Sequence, residues 1–188
     1  MSEQSPDKKI HKKPITDLIQ LTKPRLSQLV ILTAAGGWWL APINPKWEVG
    51  VIAVGGTTMT VAAANALNNY LERESDKHMV RTQNRPLPAG RMSPAIALIF
   101  GLILSFLAIP LLTLAVNPLS GLLAAIALIT YVLIYTPMKK TTSFHTIVGA
   151  IPGAMPPLIG WTAATNALDP GGIMLFTILF LWQIPHSL

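Results

Sequence analysis

Asn68, Glu72 and Asp76 stand four residues apart in the stretch NNYLERESDKHMVRTQNRPLPAGR, residues 68–91. On a helix that spacing drifts only about 80° over two turns, so three side chains with oxygen donors share one face. Such donors suit a hard divalent cation. Mg²⁺ in particular takes one or two carboxylates and completes its shell with water and phosphate oxygens. Lys77, Arg81 and Arg85 follow directly. Cations in that pattern can hold a diphosphate, for which the planar fork of Arg is shaped. They fit equally well as surface pairs on a solvated helix, worth about 0.2–0.5 kcal/mol each. Two features favour a site: the stiff run Arg85-Pro86-Leu87-Pro88-Ala89-Gly90 that follows, and the apolar sequence on either side. Charge beside a bilayer is costly and usually functional.

The elements that must position these residues are membrane helices. Of the 188 residues, 51% are apolar and only 12% charged, which is the composition of an integral membrane protein. Residues 26–45, 49–71, 92–138, 141–168 and 170–188 contain no Asp, Glu, Lys or Arg. At roughly 20 residues per crossing, the third stretch holds two spans and the others one each, so an all-α bundle of about six transmembrane helices is expected. Ser93-Pro94, Asn117-Pro118 and Asp169-Pro170 predict the starts of the third, fourth and sixth spans, since a capping side chain followed by Pro opens a helix. Continuous apolar runs without alternation disfavour a β-barrel.

Basic residues collect before the first span, between the second and third, and between the fourth and fifth, with Lys46 alone in an opposite loop. The positive-inside rule then predicts a cytoplasmic N-terminus and a cytoplasmic charged stretch. Residues 1–22 read as a cytoplasmic tail and 23–188 as the membrane domain. The net charge of +6 is accounted for by these loops and anionic lipid, without nucleic acid. With no Cys, thiolate chemistry and Cys metal sites are excluded. The N-terminal 22 residues lack both the apolar run of a secretory signal and the Arg of a mitochondrial leader, which favours a bacterial inner membrane.

The spacing Asn68-x3-Glu72-x3-Asp76-x2-Met79-x-Arg81-Thr82-x2-Arg85-x4-Gly90 resembles the first carboxylate-rich motif of the UbiA-type membrane prenyltransferases. Ser75 departs from the larger apolar residue usual there. LTKPR at 21–25, NRPLPAGR at 84–91, YTPMKKTTSFHTIVGAIPGAMPPLIGW at 135–161 and LWQIPH at 181–186 resemble, in order, the haem-farnesylating branch of that family, the haem O synthases. The resemblance implies a helical intramembrane fold and Mg²⁺ as cofactor. It also implies farnesyl diphosphate and haem b as substrates, with farnesyl transfer to a haem vinyl group to form haem O. On that basis Asn68, Glu72 and Asp76 would be the catalytic and metal-binding residues. Lys77, Arg81 and Arg85 would hold diphosphate. Lys139 and Lys140, on the same face of the membrane, read as further contacts to diphosphate or to a haem propionate, or as a plain basic loop.

His145 and His186 are candidate haem contacts, although each also reads as an ordinary structural histidine. Lys23 and Arg25, flanking Pro24, read either as anion contacts or as a plain basic loop. The Gly- and Pro-rich run GAIPGAMPPLIG predicts a packing kink or a cavity wall. Trp38, Trp39 and Trp47 predict an interfacial aromatic belt. Members of the resembled family continue through about nine helices and carry a second carboxylate-rich motif absent from these 188 residues, so a C-terminally shortened version with little or no turnover is expected. The competing readings are a non-catalytic membrane module that binds polyprenyl diphosphate, or prenyl transfer to an aromatic acceptor.

Overall fold

A computed structural model describes residues 14–43, 46–139 and 141–186. Among the described residues the protein is helical, with no strand. A short helix, α1 (Pro14–Leu21), precedes six longer ones: α2 (Pro24–Trp39), α3 (Trp47–Lys77), α4 (Pro94–Ala115), α5 (Pro118–Met138), α6 (His145–Thr165) and α7 (Pro170–His186). The six longer helices follow the order expected from composition. Of these, α3 to α6 are long and apolar enough to cross a membrane, whereas α7 is a shorter apolar helix. With 16 residues, α2 is also shorter than the roughly 20 a crossing needs. The expected first span ran to Pro45, but the helix ends at Trp39, before Pro42, because Pro cannot continue a helix without losing a backbone donor.

Two of the three cap signals act through their side chains as expected, whereas Ser93 precedes α4 without a side-chain capping bond and only Pro94 marks that start. Asn117 accepts the Ser120 amide at 2.8 Å and opens α5. Asp169 accepts the Gly171 and Gly172 amides at 3.0 and 3.2 Å and opens α7. Pro94 and Pro118 each occupy the first turn of their helices.

Helix α3 is the axis of the bundle. Its 31 residues extend for about 46 Å, well beyond the roughly 30 Å of a hydrocarbon core, so its charged last turns can stand outside the apolar layer. Its inward face is built of small residues: Ala53, Gly56, Thr57, Ala63 and Ala66. These let α4 approach closely, with Leu112 seated over Gly56 and Leu67 over Gly101. The second main contact is α2 against α6. A Cβ at Gly37 would meet the Pro157 carbonyl, and one at Gly160 would meet the Ala34 carbonyl. The Gly- and Pro-rich run is therefore a backbone-to-backbone crossing, and most of α6 from Pro152 to Ala163 is buried. Leu112, Leu123, Met155, Leu158 and Ile159 form the apolar core between α4, α5 and α6.

Trp39 and Trp47 face outward at the end opposite the charged stretch, as an aromatic belt requires. Trp38 instead covers Gly50 and wedges α2 against α3. Residues 14–21, which the sequence reading assigned to the tail, form α1. Leu21 of this helix is buried with Ala66, Leu87, Met92 and Ala97.

Because the α2–α6 crossing admits no side chain, Gly160→Val is expected to destabilise the bundle by about 1–3 kcal/mol, the usual range for overpacking. Gly55→Val, at a position with open space around it, should be close to neutral. Denaturation of the two variants in the same detergent checks the difference.

Candidate functional site

Asn65, Asn68, Asn69, Glu72 and Asp76 are all buried on one side of the C-terminal half of α3. An unpaired charge in such a position is costly. Each of the two carboxylates has a partner from another segment. Asp76 accepts from Arg85 at 2.7 Å, and Glu72 pairs with Lys139 at 2.9 Å. Asn68 bridges two elements: its carbonyl accepts from the Lys23 ammonium at 3.3 Å, and its amide donates to the Thr136 hydroxyl at 3.1 Å.

Local structure explains how the partners arrive. After α3 the chain turns over itself. The Thr82 hydroxyl donates to the Asp76 carbonyl at 3.0 Å, and a tight loop follows in which Arg91 and Met92 donate to the Pro86 carbonyl at 2.9 and 3.2 Å. Gly90 takes φ +69°, the left-handed conformation that this turn requires and that Gly adopts without penalty. Arg91 ties the loop to α1 through Asp17 at 3.1 Å and Gln20 at 3.3 Å. Arg85 is thus carried on a loop anchored at its far end.

On α5 the residues Thr130–Tyr135 form a π-helical turn. The Thr136 hydroxyl donates to the Tyr131 carbonyl at 2.8 Å within it. Such turns change which face the following residues present and recur at functional sites. Beyond it, Thr136 meets Asn68, and Lys139 lies 5.5 Å from the Tyr135 ring centre while reaching Glu72.

Lys23, Arg85 and Lys139 set three positive charges against the two negative charges of Glu72 and Asp76, a surplus of one. Burial, with the charge of Arg85 adding to it, pushes the Lys23 ammonium down to about 8. An anion entering here would meet donors already drawn together.

Below the charges lies an apolar cavity of about 370 Å³ between α2, α3, α5, α6 and α7. Its walls include Leu26, Val30, Ala64, Leu128, Pro152 and Pro156, and Asn65, Tyr131 and Tyr135 mark its polar end. Since Asn65 lies one turn before Asn68 on α3, the cavity begins directly beneath the ionic cluster. A ligand with an anionic head and an apolar tail fits this arrangement.

The candidates proposed from sequence divide clearly. Asn68, Glu72, Asp76, Arg85 and Lys139 are brought together. Lys77 is exposed and pairs with Glu74 at 2.8 Å instead, and that contact holds the Glu74 carboxyl below its ordinary range. Arg81 is exposed on the following turn, away from the buried face. His145 starts α6 at the same end of the bundle, with Nδ1 donating to the Thr142 carbonyl at 2.7 Å and its ring centre 6.1 Å from that of Tyr135. Lys140 and the side chains of Arg25 and His186 lie outside the described residues. Asn65, Asn69 and Thr136 were not singled out from sequence. The Asn-rich run on α3 was the only signal for the first two, and nothing local marks Thr136.

Among the described residues no three His, Asp or Glu side chains converge. The donor set is two carboxylates and one amide, all hard oxygen ligands. That set fits a divalent cation completed by water and phosphate oxygens, rather than a cation enclosed by protein alone.

An α-helical bundle with, among the described residues, four helices long and apolar enough to cross a membrane defines the class of protein, a multi-pass membrane protein. The chain belongs to the UbiA prenyltransferase family, whose pattern it matches over residues 29–188. It is 56% identical over 171 residues to the protoheme IX farnesyltransferase of Myxococcus xanthus, covering 91% of this chain and 58% of that protein. The protein of the same name from Anaeromyxobacter dehalogenans is 54% identical over 174 residues, covering 93% and 59%. The human mitochondrial protoheme IX farnesyltransferase is 42% identical over 169 residues, covering 90% and 38%. The chain therefore spans somewhat more than half the length of its bacterial relatives.

Removing Arg85 leaves the buried Asp76 carboxylate without its partner. Arg85→Gln is expected to cost about 2 kcal/mol, below the range for fully buried pairs because Arg85 is partly exposed. Lys77→Gln and Arg81→Gln should each change stability by less than about 0.5 kcal/mol. Chemical denaturation of the three variants side by side tests the assignment of Arg85, rather than its sequence neighbours, to the cluster.

Proposed function

We propose that this chain binds farnesyl diphosphate with Mg²⁺ at the ionic cluster and takes part in farnesyl transfer to a vinyl group of haem b, forming haem O. The observation that carries the reading is the stacking of an ionic cluster with surplus positive charge on an apolar cavity. Similarity to proteins named for farnesylation of protohaem supports the choice of acceptor. Asn68, Glu72 and Asp76 would hold the metal, which when bound supplies Lewis-acid neutralisation of the leaving diphosphate.

The protein's own side chains account for the rest. Arg85, Lys139 and Lys23 turn from carboxylate and amide partners to diphosphate oxygens and stabilise the charge that grows there as the allylic C1–O bond breaks. The apolar walls seat the farnesyl chain and keep water from C1. The bond electrons leave with pyrophosphate, and the π electrons of the haem vinyl group form the new C–C bond to C1. Water then adds to the resulting side-chain cation and releases one proton, which leaves a hydroxyethylfarnesyl group.

The basic character of this end of the bundle supports placing it, with the N-terminus, on the cytoplasmic side of a bacterial inner membrane. A second reading, a membrane module that binds polyprenyl diphosphate without turning it over, rests on the same cluster and cavity.

Membranes carrying the 188-residue chain, supplied with haem b, farnesyl diphosphate and Mg²⁺, are expected to form little haem O beside a full-length relative, and Asp76→Asn should lower that rate at least about 100-fold further, the loss expected when an interaction made in the transition state is removed. Chromatographic assay of haem O decides the matter. Mg²⁺-dependent binding of farnesyl diphosphate without product would favour the binding module, and neither binding nor product would end both readings.

A further inference from the structure

The linker between α1 and α2 carries a backbone conflict. Lys23 adopts φ 51°, ψ 70°, in the left-handed region. Few residues other than Gly take this conformation, and a residue directly before Pro is pushed further toward extended backbone. Such conformations persist only where the surroundings over-determine them, and they collect at functional sites.

The surroundings here are three Asn side chains of α3, each taking one of three consecutive residues, the last of α1 and the two that follow it. The Asn69 side-chain amide donates to the Leu21 carbonyl at 3.2 Å. That of Asn65 donates to the Thr22 carbonyl at 3.2 Å. Asn68 then receives the Lys23 ammonium at 3.3 Å. Leu21 and Thr22 close the C-terminal end of α1, where helix carbonyls lack intrahelical partners, and Asn69 and Asn65 supply donors there, the Thr22 carbonyl accepting also from the Ser27 hydroxyl at 3.2 Å. Both Asn side chains are buried, at 1% and 4% exposure, and their geometry is held from below. Asn69 also donates to the Asn65 carbonyl one turn back at 2.8 Å, while Leu21 is itself packed against Ala66, Leu87 and Met92.

We infer that Asn65 and Asn69 are positioning residues: by holding the Leu21 and Thr22 carbonyls, they force Lys23 into the left-handed conformation that aims its ammonium into the anion site. Lys23 then becomes a third cationic contact for the diphosphate, beside Arg85 and Lys139. The strain at this position is thus the means by which a cation some 45 residues earlier in the chain is delivered to Asn68.

The inference rests on the reading of the cluster as a diphosphate site, and the experiment separates the two. The affinity of the full chain for inorganic pyrophosphate in the presence of Mg²⁺ is measured by calorimetry in detergent micelles, for the unaltered chain, Asn69→Ala, Lys23→Met and the double variant. Pyrophosphate is expected to bind the unaltered chain, and each single change should weaken it about tenfold. Asn69→Ala should then cost less than about twofold in the Lys23→Met background, since the two act through one contact. A merely structural role for Asn69 predicts the same loss in both backgrounds, and that result would overturn the inference while leaving the anion site intact. Failure of the unaltered chain to bind pyrophosphate would overturn both. If Asn69→Ala does not fold, Asn65→Ser, which removes only the Thr22 contact, makes the same comparison.

Discussion

The buried face at the end of α3 needs its charges neutralised, and much of the surrounding structure follows from that need. Glu72 and Asp76 lie on a helix packed on several sides, where an isolated carboxylate would cost more than the fold can sustain. Each is met by a cation from a different part of the chain: Arg85 from the loop after α3 and Lys139 from the end of α5. Asn68 draws in Lys23 from the start of α2 and Thr136 from α5. The polar end of the bundle is held together by charge pairing as the middle is held by small-residue packing. An anion that competed for the cations would therefore engage the contacts that join these segments.

That coupling explains why so much of the surrounding chain is rigidly tied. The loop carrying Arg85 is closed by backbone bonds to Pro86 and pinned to α1 by Arg91 and Asp17. The linker carrying Lys23 is held by Asn65 and Asn69. The segment carrying Lys139 follows a π-helical turn and Pro137, which alter the register of α5 just before the site. A cluster whose members could exchange partners without moving their backbones would meet an anion with little further reorganisation, which is the basis of the proposed function. The apolar cavity follows from the same arrangement. Gly149, Pro152, Gly153 and Pro156 of α6 present little side-chain bulk along its wall.

The parts of this structure legible in the sequence are those set over one or two helical turns. Helix starts at Pro118 and Pro170 follow from caps a residue away, that at Pro94 from the proline itself, and the shared face of Asn68, Glu72 and Asp76 follows from 3.6 residues per turn. Similarity in the order of motifs added the family, which the match over residues 29–188 shows. Proximity along the chain misled where the direction of the side chain mattered. Lys77 is adjacent to Asp76 but about 100° further around the helix, so it meets Glu74 rather than the cluster. Arg81 falls on an exposed turn for want of any contact that would draw it inward.

By itself, then, the sequence determined the class of protein, the order of its helices, where most of them begin and which face of α3 carries the acids, because hydropathy, capping and helical period are local properties. Tertiary structure alone decided which cations serve those acids, that α2 and α6 cross backbone to backbone, and that a Lys preceding Pro is held in a left-handed conformation. These depend on residues tens of positions apart meeting in three dimensions, where burial sets the cost of every unpaired group and packing limits which partners can reach it.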